Sequence, residues 1–271
     1  MDWSKSKSIF IIVFLILDIF LYSLYLNRHT EAQKVEVLGE KTIEARLKDD
    51  NITYTTLPNI ELAPYISGSV KHFTNEEMQA FNNHEVLIEN ETKIIVTLDQ
   101  PVPITDVEDP ASYVDFLQTY IIDGTSYGLW EVDKTNQSAT FFQRINNRTI
   151  YYNNHGMVKV YWNANNEIYQ YEQTLLLDLV EFEEKEELWS PIQVIQVLYS
   201  RGLLKPDSQI TLVKLGYSTL VQFTQTQVFV PTWEIRVINS SGQQEEYFVN
   251  AVEGKVIDVQ FDQTKVEEDE E

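Results

Sequence analysis

Cysteine is absent from this chain. That excludes disulfide frameworks, thiolate metal sites and cysteine nucleophiles. Histidine is scarce. His29, His72, His84 and His155 stand apart, whereas a catalytic zinc site needs three protein ligands in close spacing. His84-Glu85 opens like a zinc-binding helix motif, but position 88 is Ile88. Basic residues are also few, 20 Lys and Arg against 42 Asp and Glu, for a net charge of −22. Phosphate contacts need Lys and Arg, so nucleic acid is excluded as a partner. No glycine-rich phosphate loop occurs, and only one long apolar run is present.

That run is Ile9 to Leu26, IFIIVFLILDIFLYSLYL. As a helix it spans roughly 27 Å, close to the thickness of a bilayer's hydrocarbon. Small residues do not mark a cleavage site at its end, so an uncleaved anchor is favoured over a signal peptide. Lys5 and Lys7 precede it, which places a short N-terminus in the cytoplasm and the rest of the chain outside it, at the cell membrane. Asp18 lies mid-run, where a charge costs about 2.5–3.5 kcal/mol. Phe14, Asp18, Tyr22 and Tyr25 are spaced 4, 4 and 3 apart and share one helical face. Such a stripe suits a partner helix. The alternative is a protonated Asp18 that tolerates lipid, with Tyr22 and Tyr25 as an interfacial belt.

Beyond the anchor, Glu31 to Asp50 reads as a charged helical stalk and Asn51 to Leu57 as a strand. Tyr65 to Phe73 reads as a second strand with a turn at Gly68. Thr74 and Glu77 form a capping box for a helix to about Asn82. Thr92 to Leu98 is a strand that Pro101 and Pro103 end. Asp109-Pro110 then starts a helix, which Gly124 stops. Strands are expected at Tyr127–Asp133, Ala139–Ile145, Arg148–Asn153 and Met157–Asn163, and Glu167 to Phe182 begins as a strand. Ser190-Pro191 starts a second helix, which Gly202 stops. Strands follow at Gln209–Leu215, Thr219–Gln225, Thr232–Ile238, Gln244–Asn250 and Lys255–Gln260. Helix-then-meander thus occurs twice, which predicts two related lobes of α+β class. The expected organisation is a cytoplasmic tail at 1–8, an anchor at 9–26, a stalk at 27–50, lobes at 51–185 and 186–263, and a disordered acidic tail at 264–271.

Two further patterns invite a catalytic or metal reading. Gly124-Thr125-Ser126-Tyr127-Gly128 fits G-x-S-x-G, but a nucleophile elbow needs a strand before the serine and a helix after it. Here that order is inverted. Glu181, Glu183, Glu184, Glu186 and Glu187 read as a solvated face or connector, without the ordered loop of a calcium hand. No catalytic, cofactor or metal residue is assigned, and the expectation is a protein that is not an enzyme.

The opening MDWSKSKSIFIIVFLILDIFLYSLYL resembles that of YycI proteins, and LKDDNITYTTLP, YISG and VPTWEI share the family's look. From Trp233 to Ile257 the chain also resembles a PepSY-like module. The YycI resemblance implies a membrane-anchored regulator of the YycG/YycF (WalK/WalR) two-component system, which governs cell-wall homeostasis in Gram-positive bacteria. It implies a YycH-like regulator and the transmembrane helices of the sensor histidine kinase as partners. The alternatives are an anchored extracytoplasmic binding or peptidase-inhibitor module and an anchored wall enzyme.

Overall fold

Alternation of apolar and polar side chains organises most of the chain into strands. From Met157 to Trp162, for example, Val158, Val160 and Trp162 are buried while the residues between them are half-exposed. The structure is a computed structural model that describes residues 14, 15, 17, 18, 20–22, 41–78, 84–222 and 226–257. The chain divides into two units, Met1–Arg46 and Leu47–Glu271. In the first, Phe14, Leu15, Leu17, Asp18 and residues 20–22 are helical and exposed. The remainder of the expected 9–26 anchor lies outside the described residues, as do most of the stalk and the acidic tail. Among the described residues, no helix is long and apolar enough to cross a membrane.

The elements are α1 (Ile43–Asp49), β1 (Thr53–Tyr54), β2 (Leu62–Val70), α2 (Asn75–Met78), β3 (His84–Glu89), β4 (Lys93–Pro103), α3 (Val114–Tyr120), β5 (Tyr127–Asp133), β6 (Ser138–Ile145), β7 (Arg148–Tyr151), β8 (Met157–Trp162), β9 (Glu167–Gln173), β10 (Leu176–Glu187), α4 (Pro191–Ser200), β11 (Gln209–Gln222), β12 (Thr226–Ile238), β13 (Gln244–Asn250) and β14 (Val256–Ile257). The class is mixed α+β, mostly strand. The strands pair in the order β10-β2-β12-β11-β7-β6-β8-β9-β4-β3, with β5 on β6, β1 on β11, and β13 and β14 continuing from β12. Pairing is antiparallel except for β1·β11 and β7·β11. The β2·β12 and β7·β11 pairings join strands from residues 51–185 to strands from 186–263.

Both expected helix starts form by local chemistry. Asp109 Oδ1 accepts from the Ala111 N–H at 2.9 Å and Pro110 opens a 3-10 turn that runs into α3. Gln193 Oε1 accepts from the Ser190 N–H at 2.8 Å in a capping box at α4. The 3-10 turn and α3 pack on the sheet through edge-on ring contacts, of Tyr113 with Phe141 and of Phe116 with Tyr171 respectively. These rings belong to a core that includes Ile94, Val96, Val158 and Val160. A second core gathers Ile66, Val70, Ile150, Leu176, Tyr217 and Phe229. α4 buries Val194, Ile195 and Leu198.

Several expectations are corrected. No turn occurs at Gly68, because β2 runs through it. A Cβ there would meet Leu179 at 2.7 Å, so the glycine serves the close approach of β10. The expected break between Leu215 and Thr219 is absent. β11 is continuous, and a Cβ on Gly216 would meet Thr149 O at 2.5 Å and the Tyr151 ring at 2.4 Å. β4 runs on to Pro103, its register shifting between Thr97 and Val102 so that Pro101 falls in an irregularity. Only Thr53–Tyr54 of the first expected strand pairs, β3 was not foreseen, and the acidic run from Glu181 to Glu187 lies within strand β10. The last expected strand is described only as Val256–Ile257, with the rest outside the described residues.

Candidate functional site

Of the four stripe residues, Phe14, Asp18 and Tyr22 are helical and exposed, Tyr22 at 63%. Their spacing places them on one face. Tyr25 lies outside the described residues.

A second constellation lies in the other unit. β12 reads Trp233-Glu234-Ile235-Arg236-Val237, and Trp233, Ile235 and Val237 are buried on one face. Glu234 and Arg236 point to the opposite face, as period-2 geometry requires. That face is covered too. The Arg236 guanidinium lies 4.7 Å from the Trp130 ring, and Trp130 is in ring contact with Tyr151, Tyr152, Phe142 and Phe248. Arg236 Nε reaches Glu234 Oε1 at 2.6 Å and Glu246 Oε1 at 3.1 Å. The Glu234 side chain is 2% exposed. Burial raises its pKa, and Arg236 pulls the other way. The Tyr151 hydroxyl is buried beside Glu234 without a well-formed hydrogen bond. Burial and then the Glu234 charge push that phenol well above its ordinary value. Tyr152 donates to Glu246 Oε2 at 3.3 Å and accepts from Trp130 Nε1 at 3.3 Å. Burial first raises its pKa, to about 12.

Glu246, Tyr152 and Phe248 also face an open groove of about 480 Å³, whose other walls include Arg201, Tyr247 and Ile257. The Tyr247 hydroxyl lies 2.5 Å from Glu245 Oε2 and 3.0 Å from Leu203 O, which brings β13 against the segment after α4. The groove offers aromatic faces, one carboxylate and one guanidinium. Among the described residues it is lined by no serine, threonine, cysteine or histidine. It is suited to stacking and charge pairing rather than to nucleophilic attack.

Around Ser126, Gly124 to Ser126 form a 3-10 turn that leads into β5, and the Ser126 hydroxyl donates to Asp123 O at 2.9 Å. A Cβ on Gly124 would lie 1.8 Å from Leu117 O, and one on Gly128 would meet the Arg144 side chain at 2.6 Å. Packing accounts for both glycines. His155 Nδ1 lies 2.9 Å from Gln227 Nε2, and Gln227 Oε1 accepts from Asn153 at 2.6 Å. Among the described residues no group of three or more His, Asp and Glu is arranged to hold a metal ion.

The family model described as "YycI protein" matches residues 32–252. The chain belongs to the YycI family. Membership supports a regulator of the YycG/WalK two-component system, a regulatory module rather than an enzyme. A search of curated proteins finds no match. Among solved structures, a crystal structure of an uncharacterized protein from Eubacterium rectale is similar at 10% identity. It covers 78% of this chain and 92% of its own, with a TM-score of 0.47. The C-terminal domain of Bacillus megaterium YpeB is similar at 11% identity, covering 70% and 98%, with a TM-score of 0.45. Within this YycI chain, sequence reasoning missed the Glu234–Arg236–Glu246 cluster. The available signal was the pairing of Glu234 with Arg236 two residues apart on one face of a strand rich in apolar residues.

Proposed function

We propose that this chain is a single-pass, membrane-anchored regulator that acts outside the cytoplasm, and that with a YycH-like protein it modulates the sensor histidine kinase YycG/WalK. The family match carries this reading, and the apolar run from Ile9 to Leu26 supports the anchor. In this reading the exported part consists of two related helix-plus-meander lobes, 51–185 and a PepSY-like 186–263, joined through the β2·β12 and β7·β11 pairings. The stripe of Phe14, Asp18, Tyr22 and Tyr25 meets the kinase's transmembrane helices. A polar group in hydrocarbon lowers its cost by bonding across helices, at about 0.6–2 kcal/mol per bond. A small differential contact of that size shifts a two-state kinase.

The test compares wild type with Asp18→Leu and Asp18→Asn by co-purification from membranes and by a reporter for the response regulator. Asp18→Leu weakens association and alters output, while Asp18→Asn, which keeps hydrogen bonding, does so mildly. Unchanged association and output in Asp18→Leu would reduce the anchor to a tether. Protease added to wall-stripped cells digests the chain from Glu31 onward, and protection of that region would overturn the orientation.

A further inference from the structure

The strand ladder ends at β10, whose pairing partner among the described residues is β2 alone. At its start the other edge is covered, because the Leu176 N–H and C=O bond to the Gln143 side chain at 3.0 and 2.9 Å. Beyond Leu176 it leaves backbone N–H and C=O groups open to a further strand. Natural sheets blunt such edges with charge and bulges, and β10 has both. It carries six carboxylates against one lysine, and its register shifts twice. Yet it also keeps large apolar side chains in the open. Val180 is 57% exposed and Phe182 44%, and Phe182 lies 6.5 Å from the Tyr65 ring of β2. An edge built only to repel strands has no use for these. Glu181 accepts from Asn146 at 2.7 Å. Glu183, Glu184, Glu186 and Glu187 form no ion pair among the described residues.

We propose that the outer edge of β10 takes an extended, lysine- or arginine-bearing segment of another protein as an additional strand. Charge complementarity selects the occupant. A second copy would set carboxylates opposite carboxylates, which destabilises cross-strand pairs, whereas a basic strand sets cations opposite them. Main-chain hydrogen bonds hold the segment and the apolar side chains alternate onto Val180 and Phe182. This inference stands apart from the anchor and from the identity of the kinase.

The experiment uses the full chain in nonionic detergent and a synthetic ten-residue peptide of alternating lysine and valine, followed by fluorescence anisotropy. The peptide binds saturably, and more weakly as salt rises. Alternating glutamate and valine does not bind. N-methylation at alternate residues, made in both registers, weakens one register by about tenfold or more, because it removes the N–H groups that face the edge. Phe182→Glu and the pair Glu183→Lys with Glu184→Lys each weaken binding by about tenfold. These positions are exposed, and an unchanged thermal melt confirms the fold. If both N-methylated peptides bind as well as the parent, the attraction is charge alone and the added strand is refuted. If the variants bind like wild type, the edge is not the site.

Discussion

Replacing Arg236 by methionine is the sharpest probe of the buried cluster. Methionine keeps much of the stem's volume but leaves the 2%-exposed Glu234 carboxylate without its cation. Removing one partner of a buried pair costs about 3–5 kcal/mol. For a folded unit of this size that lowers Tm by roughly 6–20 °C. The deficit depends on pH with a definite sign. Burial already raises the Glu234 pKa above 4.5 in the wild type, against the pull of Arg236. Without Arg236 it rises further. A folded-state pKa above the unfolded value means that the penalty is absent below about pH 4.5 and grows as pH rises through the folded value. Arg236→Met is therefore most destabilised at neutral pH and approaches wild type as pH falls toward that of the free carboxyl. Adding Glu234→Gln removes the uncompensated charge and restores most of the stability at pH 7. The assay is thermal unfolding followed by near-ultraviolet circular dichroism, which reports the packing around Trp130. A loss below about 1 kcal/mol, or a deficit that is flat with pH, would refute the assignment of Arg236 as the counter-ion of Glu234.

Two other perturbations read different parts of the fold. Gly124→Ala places a methyl 1.8 Å from Leu117 O and costs about 3 kcal/mol, the upper end of overpacking. Gly202→Ala meets nothing within 4 Å, and its φ of +70° costs only about 1–2 kcal/mol, so equal losses in denaturant titrations of the two would contradict the packing role of Gly124. Burial, with His72 adding to it, holds the His155 pKa below 6.5. The stability present above about pH 6.5 is lost as pH falls through the folded value, and His155→Gln removes that part of the slope between about pH 7.5 and 5. Parallel slopes for wild type and variant would sink the point.

Local chemistry was readable and long-range pairing was not. Asp109-Pro110 and Ser190-Pro191 announce helix starts because the capping acceptor, the proline and the bonded N–H lie within four residues of each other. β5 and β13 were legible from end to end, since alternation and turn residues bound them. Gly68 and Gly216 were misread as breaks. A missing Cβ serves a turn or a close approach equally well, and the choice between them is made by strands far away in sequence. Leu179 decides it for Gly68, and Thr149 and Tyr151 decide it for Gly216. The parallel pairing of Tyr217 with Ile150 leaves no local trace at all.

The same limit hid the cluster on β12. In an antiparallel sheet with one wet face, Glu234 and Arg236 belong to the solvent side. Here β13 places Glu246 opposite Arg236 and Phe248 opposite Glu234, and the rings of Trp130 and Tyr151 cover that face. The strand is buried on both sides, so its polar residues are paired with one another instead of with water. β10 reverses every one of these conditions. Its glutamates lie on an open edge, exposed except for the half-buried Glu186 and without ion pairs among the described residues, beside apolar side chains that the fold leaves uncovered. Glutamate type and strand spacing are alike in the two strands, and only the neighbours differ. A carboxylate enclosed with its arginine acts as a fixed part of the frame. One held out on an unfinished sheet edge acts on whatever strand arrives there, which is why the charge-reversal test belongs on β10 and the stability test on β12.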